Sequence, residues 1–340
     1  MIDPGRYTSG AIAITNLSAS IDSLQLRRAE GATFENLVAL SNLLFLRGDV
    51  LGRISDHDRA EVIANEAIAS SRDAATALYI RARLAGRFHR FEEAKAALDQ
   101  ALAGGYPRQE IELEKAALLQ ATGRYEAALI LRERPAQYDP GLSTLGALGS
   151  LLAEMGRWLA AESSYAAALD ADDSVSPLPC SQLLFEWGVS AMRRGDLDRA
   201  EAILAELGAV LPAHVPGRGH RAEVALARGQ LDLAASLITP LLEISDDPEY
   251  RATHAEILAA RGDSRAASEA DRAAVAYELL LARRPEAYAD HAAAFFTGIG
   301  KRPRRAVELA LANWQLRDTP RSRRLLAKAQ KLSLVQRHAA

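Results

Sequence analysis

The residues best suited to chemistry in this chain are seven histidines, one cysteine and a few stretches rich in glycine or acid, and their spacing decides what they can do. A zinc site on a helix needs two imidazoles four residues apart, or a His-Glu-x-x-His run, so that both rings reach one ion. His57, His89, His214, His220, His254, His291 and His338 supply neither pattern. A phosphate-cradling loop needs two glycines at fixed spacing and a lysine followed by Ser or Thr. In "GIGKR" (298–302) only two residues separate Gly298 from Lys301, and Arg302 follows. The run "DADDSV" (170–175) has the first, third and fifth ligands of a calcium loop, but Val175 stands where its glycine belongs and Ser181 where its bidentate glutamate belongs. No Gly-x-Ser-x-Gly elbow occurs, while a Ser, His and Asp brought together from distant segments stays open. Cys180 stands alone, so neither an intrachain disulfide nor a thiolate zinc cage can form. The sequence predicts no catalytic residue, no metal site and no cofactor, and it reads as a non-enzyme.

What remains is binding, and composition says which elements would carry it. The 340 residues are 49% hydrophobic and 25% charged but only 6% aromatic, with alanine and leucine supplying most of the apolar content. That balance favours helices over sheets. Eleven lysines and arginines against two acids fall in residues 300–340, a balance of +9, which leaves the rest of the chain at −12. An acidic body with a basic end can orient an asymmetric partner. The opening residues lack the basic-then-apolar pattern of a signal peptide, and no apolar run is long enough to span a membrane. A cytoplasmic protein without a membrane span is the expectation.

Four stretches, "GRYEAALI" (123–130), "GRWLAAES" (156–163), "GDLDRAEA" (195–202) and "GDSRAASE" (262–269), share a glycine followed by an alanine that enters a helix. Aligned on that alanine, the chain gives Ala60, Ala94, Ala128, Ala161, Ala200, Ala234, Ala267 and Ala306, at spacings of 34, 34, 33, 39, 34, 33 and 39. A second small or apolar residue follows seven places on, at Ala67, Ala101, Pro135, Ala168, Leu207, Leu241 and Ala274, and only Asn313 breaks the rule. Seven residues is close to two helical turns, so each pair lies on one face that meets a neighbour closely. The preceding segment carries its own stripe, as Leu145, Leu148, Leu151 and Leu152 do in "LSTLGALGSLLAEM" (142–155). Gly123, Gly156, Gly195, Gly229 and Gly262 lie between the stripes, where a helix ends in the left-handed conformation. Each unit reads as helix, tight turn, helix. Residues 264–284 can run as one longer helix before Pro285.

These residues resemble the tetratricopeptide repeat (TPR) family, whose unit is 34 residues long. The fourth unit carries Gly149, Trp158, Ala161, Tyr165 and Ala168. The fifth carries Trp187, Gly188, Gly195, Ala200 and Pro212, and Phe91 and Tyr125 fill the aromatic place in the second and third. The resemblance implies an all-α, right-handed superhelical solenoid of about eight TPR-like helix-turn-helix repeats over residues 39–319. Residues 1–38 would form an N-terminal segment with a capping helix near 17–28. Residues 320–340 would form a basic C-terminal capping helix and tail, with Thr319 as its N-cap and Pro320 at its first position.

The resemblance also implies an inner wall built from the first helix of each unit. It would carry Asn42, Phe45 and Asp49; Thr76, Tyr79 and Arg83; Ser143, Gly146 and Ser150; Gln182, Phe185 and Val189; and His291 and Phe295. Such a wall implies a protein or peptide partner, and so a scaffold or adaptor. Some family members clamp a C-terminal carboxylate with Lys and Asn where this chain has Phe45 and Asp49, which argues against that role. A cationic column, Arg47, Arg81, Lys115, Arg221 and His254, reads as a carboxylate ladder or, with more weight, as pairing between helices with acids such as Glu112, Glu114, Glu223 and Glu256. Lys301, Arg302, Arg304 and Arg305 lead into a helix N-terminus and form a candidate anion site. The basic end leaves nucleic acid or another polyanion as a rival reading, against which the acidic body argues. A regulatory subunit of a separately encoded enzyme is a third reading, and self-association stays open.

Overall fold

Alanine and leucine on a 3.6-residue period make helices, and the computed structural model, which describes residues 3–339, contains helices and turns with no strand among the described residues. After a 3-10 turn at Pro4–Arg6 come α1 (Gly10–Gly31), α2 (Phe34–Leu51), α3 (Ile54–Ser70), α4 (Ala74–Arg87), α5 (Phe91–Ala103), α6 (Arg108–Ala121) and α7 (Tyr125–Tyr138). Then follow α8 (Leu142–Glu154), α9 (Trp158–Asp170), α10 (Pro177–Arg194), α11 (Leu197–Val210), α12 (Val215–Ala227), α13 (Leu231–Ile238) and α14 (Leu241–Ile244). The last five are α15 (Pro248–Ala260), α16 (Ala266–Arg283), α17 (Pro285–Thr297), α18 (Pro303–Leu316) and α19 (Pro320–Ala339).

Seven of the eight predicted hairpins form. α2 packs on α3, α4 on α5, α8 on α9, α10 on α11, α12 on α13, α15 on α16 and α17 on α18. Ala94, Ala97, Leu98 and Ala101 of α5 occupy the same four places as Ala161, Ser164, Tyr165 and Ala168 of α9 and Ala200, Ile203, Leu204 and Leu207 of α11, and all are buried. Glycine on the facing helix lets the backbones come closer still. A Cβ on Gly149 would sit 3.0 Å from the Tyr165 ring, and one on Gly188 would sit 2.8 Å from Leu204.

The turns follow a rule that the sequence shows only in part. Five residues before the buried alanine, the backbone adopts positive φ at His89 (58°), Gly123 (81°), Gly156 (75°), Gly195 (87°), Gly229 (72°) and Lys301 (48°). Two of these residues bear side chains and accept the conformation at a cost, because Cβ crowds the carbonyl oxygen there. In two units the turn is three residues longer, and the left-handed glycines Gly52 and Gly262 lie eight residues before the stripe. This moves one predicted anchor. Ala267 is exposed, and Ala270, Ala273, Ala274 and Tyr277 form the buried stripe of α16. The spacings on either side of Ala270 become 36 and 36.

The helices divide into two compact units, one of α1–α3 with α7–α14 and the other of α4–α6 with α15–α19. The third repeat, one hairpin by its sequence pattern, is shared out, α6 to the second unit and α7 to the first. α7 carries Arg132 and Pro135 where α5, α9 and α11 carry buried apolar or small residues, and its buried set shrinks to Ala128, Leu129 and Ala136.

In the first unit, segments far apart in sequence meet directly. α1 packs on both α2 and α10, and Leu17 and Ile21 join Leu37, Leu40, Leu44, Ile63 and Ala67 in one core. The Tyr7 hydroxyl donates to buried Asp172 at 2.9 Å, and the Thr8 N–H donates to the Val175 carbonyl at 2.8 Å. α3 receives its N-cap from a residue 192 positions away, since the Asp246 carboxylate accepts the N–H groups of Ile54 at 2.6 Å and Ser55 at 3.0 Å. Arg53 donates to the Ile244 carbonyl at 3.3 Å, and the Ser245 hydroxyl donates to that of Gly52.

The second unit is tied in the same way. His89 Nδ1 lies 3.1 Å from the Glu286 carbonyl, and the Arg284 guanidinium lies 4.0 Å over the Phe88 ring. α19 starts with the Thr319 hydroxyl accepting the Ser322 N–H at 3.1 Å and Pro320 at its first position. It packs on α18 and α17.

Two substitutions at equivalent turns should move stability in opposite directions. Lys301→Gly relieves left-handed strain and should stabilise by roughly 0.5–1 kcal/mol, whereas Gly156→Ala should cost roughly 1 kcal/mol. Urea midpoints at constant slope read both. Asp246→Ala should cost about 1–2 kcal/mol through the lost cap, with amide exchange at Ile54 and Ser55 quickening.

Candidate functional site

Two of the residues expected on the inner wall of the first unit, Phe45 and Phe185, each take part in ring contacts. The Phe45 ring lies 5.9 Å from that of His57, and His57 Nε2 lies 3.1 Å from the Asp49 carboxylate. Gly48 permits this, because the His57 ring sits where a side chain at 48 would go. Across from α2, with which α12 is in contact, Phe185 of α10 packs between His214 at 5.2 Å and His220 at 5.5 Å. Asp49 lies close enough to act on the charge of His214. The His214 ring is buried, accepts the Gly217 N–H at 3.0 Å as the cap of α12, and is pushed down to about 4 by burial, so it stays neutral. His220 faces Glu223 at 2.9 Å. Asn42 and Gln182 are exposed at the edge, where Gln182 donates to Glu186 at 3.0 Å.

In the second unit the expected wall residues of α4 meet a partner that the sequence reading left out. Tyr79 stacks on Tyr106 with centroids 4.2 Å apart and planes 17° from parallel. The Arg83 guanidinium stands 6.0 Å over Tyr79 and pairs with Glu114 at 3.2 Å. The Tyr79 hydroxyl lies 3.5 Å from the carboxylates of Glu110 and Glu114. Burial, then the charge of Glu114, keeps that phenol protonated. Tyr79 is itself buried, Tyr106 is half-buried, and the Arg83 side chain is 48% exposed. The Thr76 hydroxyl is taken up by Asp73, the cap of α4. Tyr106 follows Gly104 and Gly105 and precedes Pro107, and only its neighbourhood in space shows that it completes the stack.

One expected wall residue is corrected. Phe295 is 5% exposed and packs on Tyr277 and Phe296, each at 5.0 Å. Phe295 and Tyr277 belong to one buried core, so Phe295 serves packing.

Three members of the cationic column pair between helices, with partners other than the expected glutamates. Arg47 forks onto buried Asp56 at 2.7 Å, Lys115 meets Asp99 at 2.7 Å, and Arg221 meets Glu201 at 2.8 Å. His254 lies 4.0 Å from Glu269, which Arg251 holds at 2.6 Å, and Arg81 is exposed. Of the candidate anion site, Lys301, Arg302 and Arg304 are exposed, with Arg302 5.4 Å over the Phe296 ring. Arg305 is turned to Glu278 at 2.9 Å and Glu308 at 3.2 Å.

A charged network absent from the sequence reading lies around Asp290. Arg317 donates to Asp290 at 2.6 Å and to Asn313 at 3.0 Å. His291 stands 3.5 Å from Glu249 and 3.9 Å from Asp290. Burial opposes a charge on Asp290, yet His291, Arg317, Arg321 and His89 hold its carboxyl far below the usual range. Asp290 in turn holds the His291 proton, against burial and with help from Glu249. Among the described residues no group of three or more His, Cys, Asp or Glu side chains is placed to hold a metal ion.

Paired helices, small residues at their contact, a left-handed turn residue and a repeat near 34 residues together define a helical-repeat protein of tetratricopeptide-like type. Among solved structures, the chain is similar to a tetratricopeptide repeat protein from Parabacteroides merdae, at 20% identity and a TM-score of 0.47, over 73% of this chain and 92% of that one. It is similar also to PilW, a type IV pilus biogenesis factor, at 19% identity and a TM-score of 0.47, over 63% of this chain and 96% of that one. A third similarity is to the APC/C hetero-tetramer Cut9-Hcn1, at 16% identity and a TM-score of 0.49, over 86% of this chain and 55% of that one. No protein-family model and no curated protein matches the sequence.

The network sets a pH dependence. Burial first, and then the Arg317 cation, push His89 down to about 4 from its ordinary 6.5. As pH falls below 6.5 the unfolded chain takes up this proton and the folded chain does not, so stability is full above that value and lost on the way down to about 4. Between pH 7 and 5 the loss from this one group is roughly 2 kcal/mol. His291, raised by Asp290, acts in the other direction, contributing at low pH and losing its contribution as the pH rises. His89→Asn, which tolerates positive φ, should remove about 2 kcal/mol from the pH 7 to 5 difference in urea unfolding.

Proposed function

We propose that the chain is a non-catalytic scaffold or adaptor that holds a protein or peptide partner against the first helices of its repeats. The observation that carries this reading is the Tyr79–Tyr106 stack, with Arg83 and Glu114 paired along its edge. Tyrosine and arginine dominate the energetics of protein interfaces, because a stiff aromatic ring buries much area at low entropic cost and a guanidinium reads carboxylates and carbonyls. Here the rings are already held face to face, so a partner that covers Tyr106 and Arg83 meets a preorganised floor. In the first unit the half-buried Phe45 and Phe185 rings, each packed on histidine, with exposed Asn42 and Gln182 on the same helices, offer further surface of this kind. A separately encoded enzyme held in this way would make the chain its regulatory subunit, and copurification in fixed stoichiometry would mark that case.

The test is affinity capture from native extract with wild type, with Arg83→Glu plus Tyr106→Ala, and with Phe185→Ala, each matched for helicity and urea midpoint. A protein retained by wild type and weakened at least roughly tenfold by the double variant is the expected result. The same proteins captured equally by all three would remove the reading.

A further inference from the structure

The basic end takes no part in that reading, and α19 divides lengthwise in a way that gives it a surface of its own. One face is spent on the fold: Ser322 and Ala329 are buried, and Leu325 and Leu326 pack on the core that holds Ala306, Leu309 and Ala310. The opposite face carries Arg321, Arg324, Lys328 and Lys331, all exposed. Their steps of three, four and three residues keep them in one line along about 15 Å of helix. Arg324, Lys328 and Lys331 have no carboxylate partner among the described residues, whereas Arg323, off the line, is bound to Asp318 at 2.6 Å. Three and four residues beyond Lys331 the line runs into Leu334 and Val335, 55% and 59% exposed, beside Leu332 at 38%. α18 and α19 form a hairpin across residues 317–319. The hairpin puts the start of α18, with exposed Lys301, Arg302 and Arg304, at the end of α19 that bears Lys331 and Val335.

A line of cations that ends in exposed aliphatic side chains suits a surface offering phosphate and hydrocarbon side by side. Nucleic acid meets the cations but gives Leu332, Leu334 and Val335 nothing to enter. We propose that the outer face of α19 docks on a membrane surface rich in anionic phospholipid, its cations on the headgroups and its last aliphatic residues at the boundary with the acyl chains. None of the described helices is long and apolar enough to cross a bilayer, so this contact is peripheral, with one leaflet. It uses other residues and another helix than the Tyr79–Tyr106 stack and stands independently of the partner reading.

Co-sedimentation of the full chain with vesicles tests it, using phosphatidylcholine alone and phosphatidylcholine mixed with phosphatidylserine. Binding only to the mixed vesicles is the expected result, weakened by salt. Lys328→Gln with Lys331→Gln should lower the partition coefficient roughly 30-fold. Leu334→Ser with Val335→Ser should lower it too, at unchanged charge. All four positions are on the solvent side, and circular dichroism checks that each variant is folded. Equal binding to both vesicle types, or mixed-vesicle binding that either double variant leaves untouched, would overturn the proposal. So would absence of vesicle binding together with salt-sensitive capture of a single-stranded oligonucleotide.

Discussion

The closeness with which paired helices meet at Ala94, Ala161 and Ala200 is the constraint on which the rest depends. A backbone approach of this kind tolerates no larger side chain at those places, and it fixes where the connecting turn must reverse the chain. That reversal needs a residue in the left-handed region. Glycine takes it freely in most repeats, while His89 and Lys301 take it with a side chain attached. At His89 the strained backbone aims the ring at the Glu286 carbonyl, so one of these exceptions also ties two parts of the second unit together.

Stacked hairpins of ordinary repeat arrays touch chiefly their neighbours in sequence. This chain adds contacts of another order. Asp246 caps α3, Tyr7 reaches Asp172, and Arg284 covers Phe88, each across well over a hundred residues. These contacts are polar or cationic and lie at or near helix ends, and Asp246 takes up backbone N–H groups that would otherwise lack partners. Burial of apolar area supplies the general drive, and these groups select which distant segments come together.

The hairpins, their turns and the small residues at their contact were legible in the sequence because each depends on residues within about forty positions of one another. The anchor in α16 was misplaced by three residues because two alanine-rich frames overlap there, and only burial separates Ala267 from Ala270. The division of the third repeat was hidden for a related reason: Ala128 keeps the pattern while Arg132 and Pro135 remove the face behind it. The repeat pattern singles out Phe45, Tyr79 and Phe185 on the first helices of their units, but their ring partners Tyr106, His57 and His220 were not legible, since those contacts exist only after the helices meet. Phe295 satisfies the same periodic rule as Phe185, yet Tyr277 and Phe296 enclose it.

The Asp246 cap has a consequence during synthesis. The ribosome delivers Ser55 191 residues before Asp246, which at usual elongation rates is about 10–40 s. Through that interval the first turn of α3 exposes its N–H groups to water, and the N-terminal hairpin rests on the apolar core built around Leu17, Ile21, Leu40, Leu44 and Ile63. The first unit is therefore completed after translation has passed residue 246, with a late closing step whose partner arrives last.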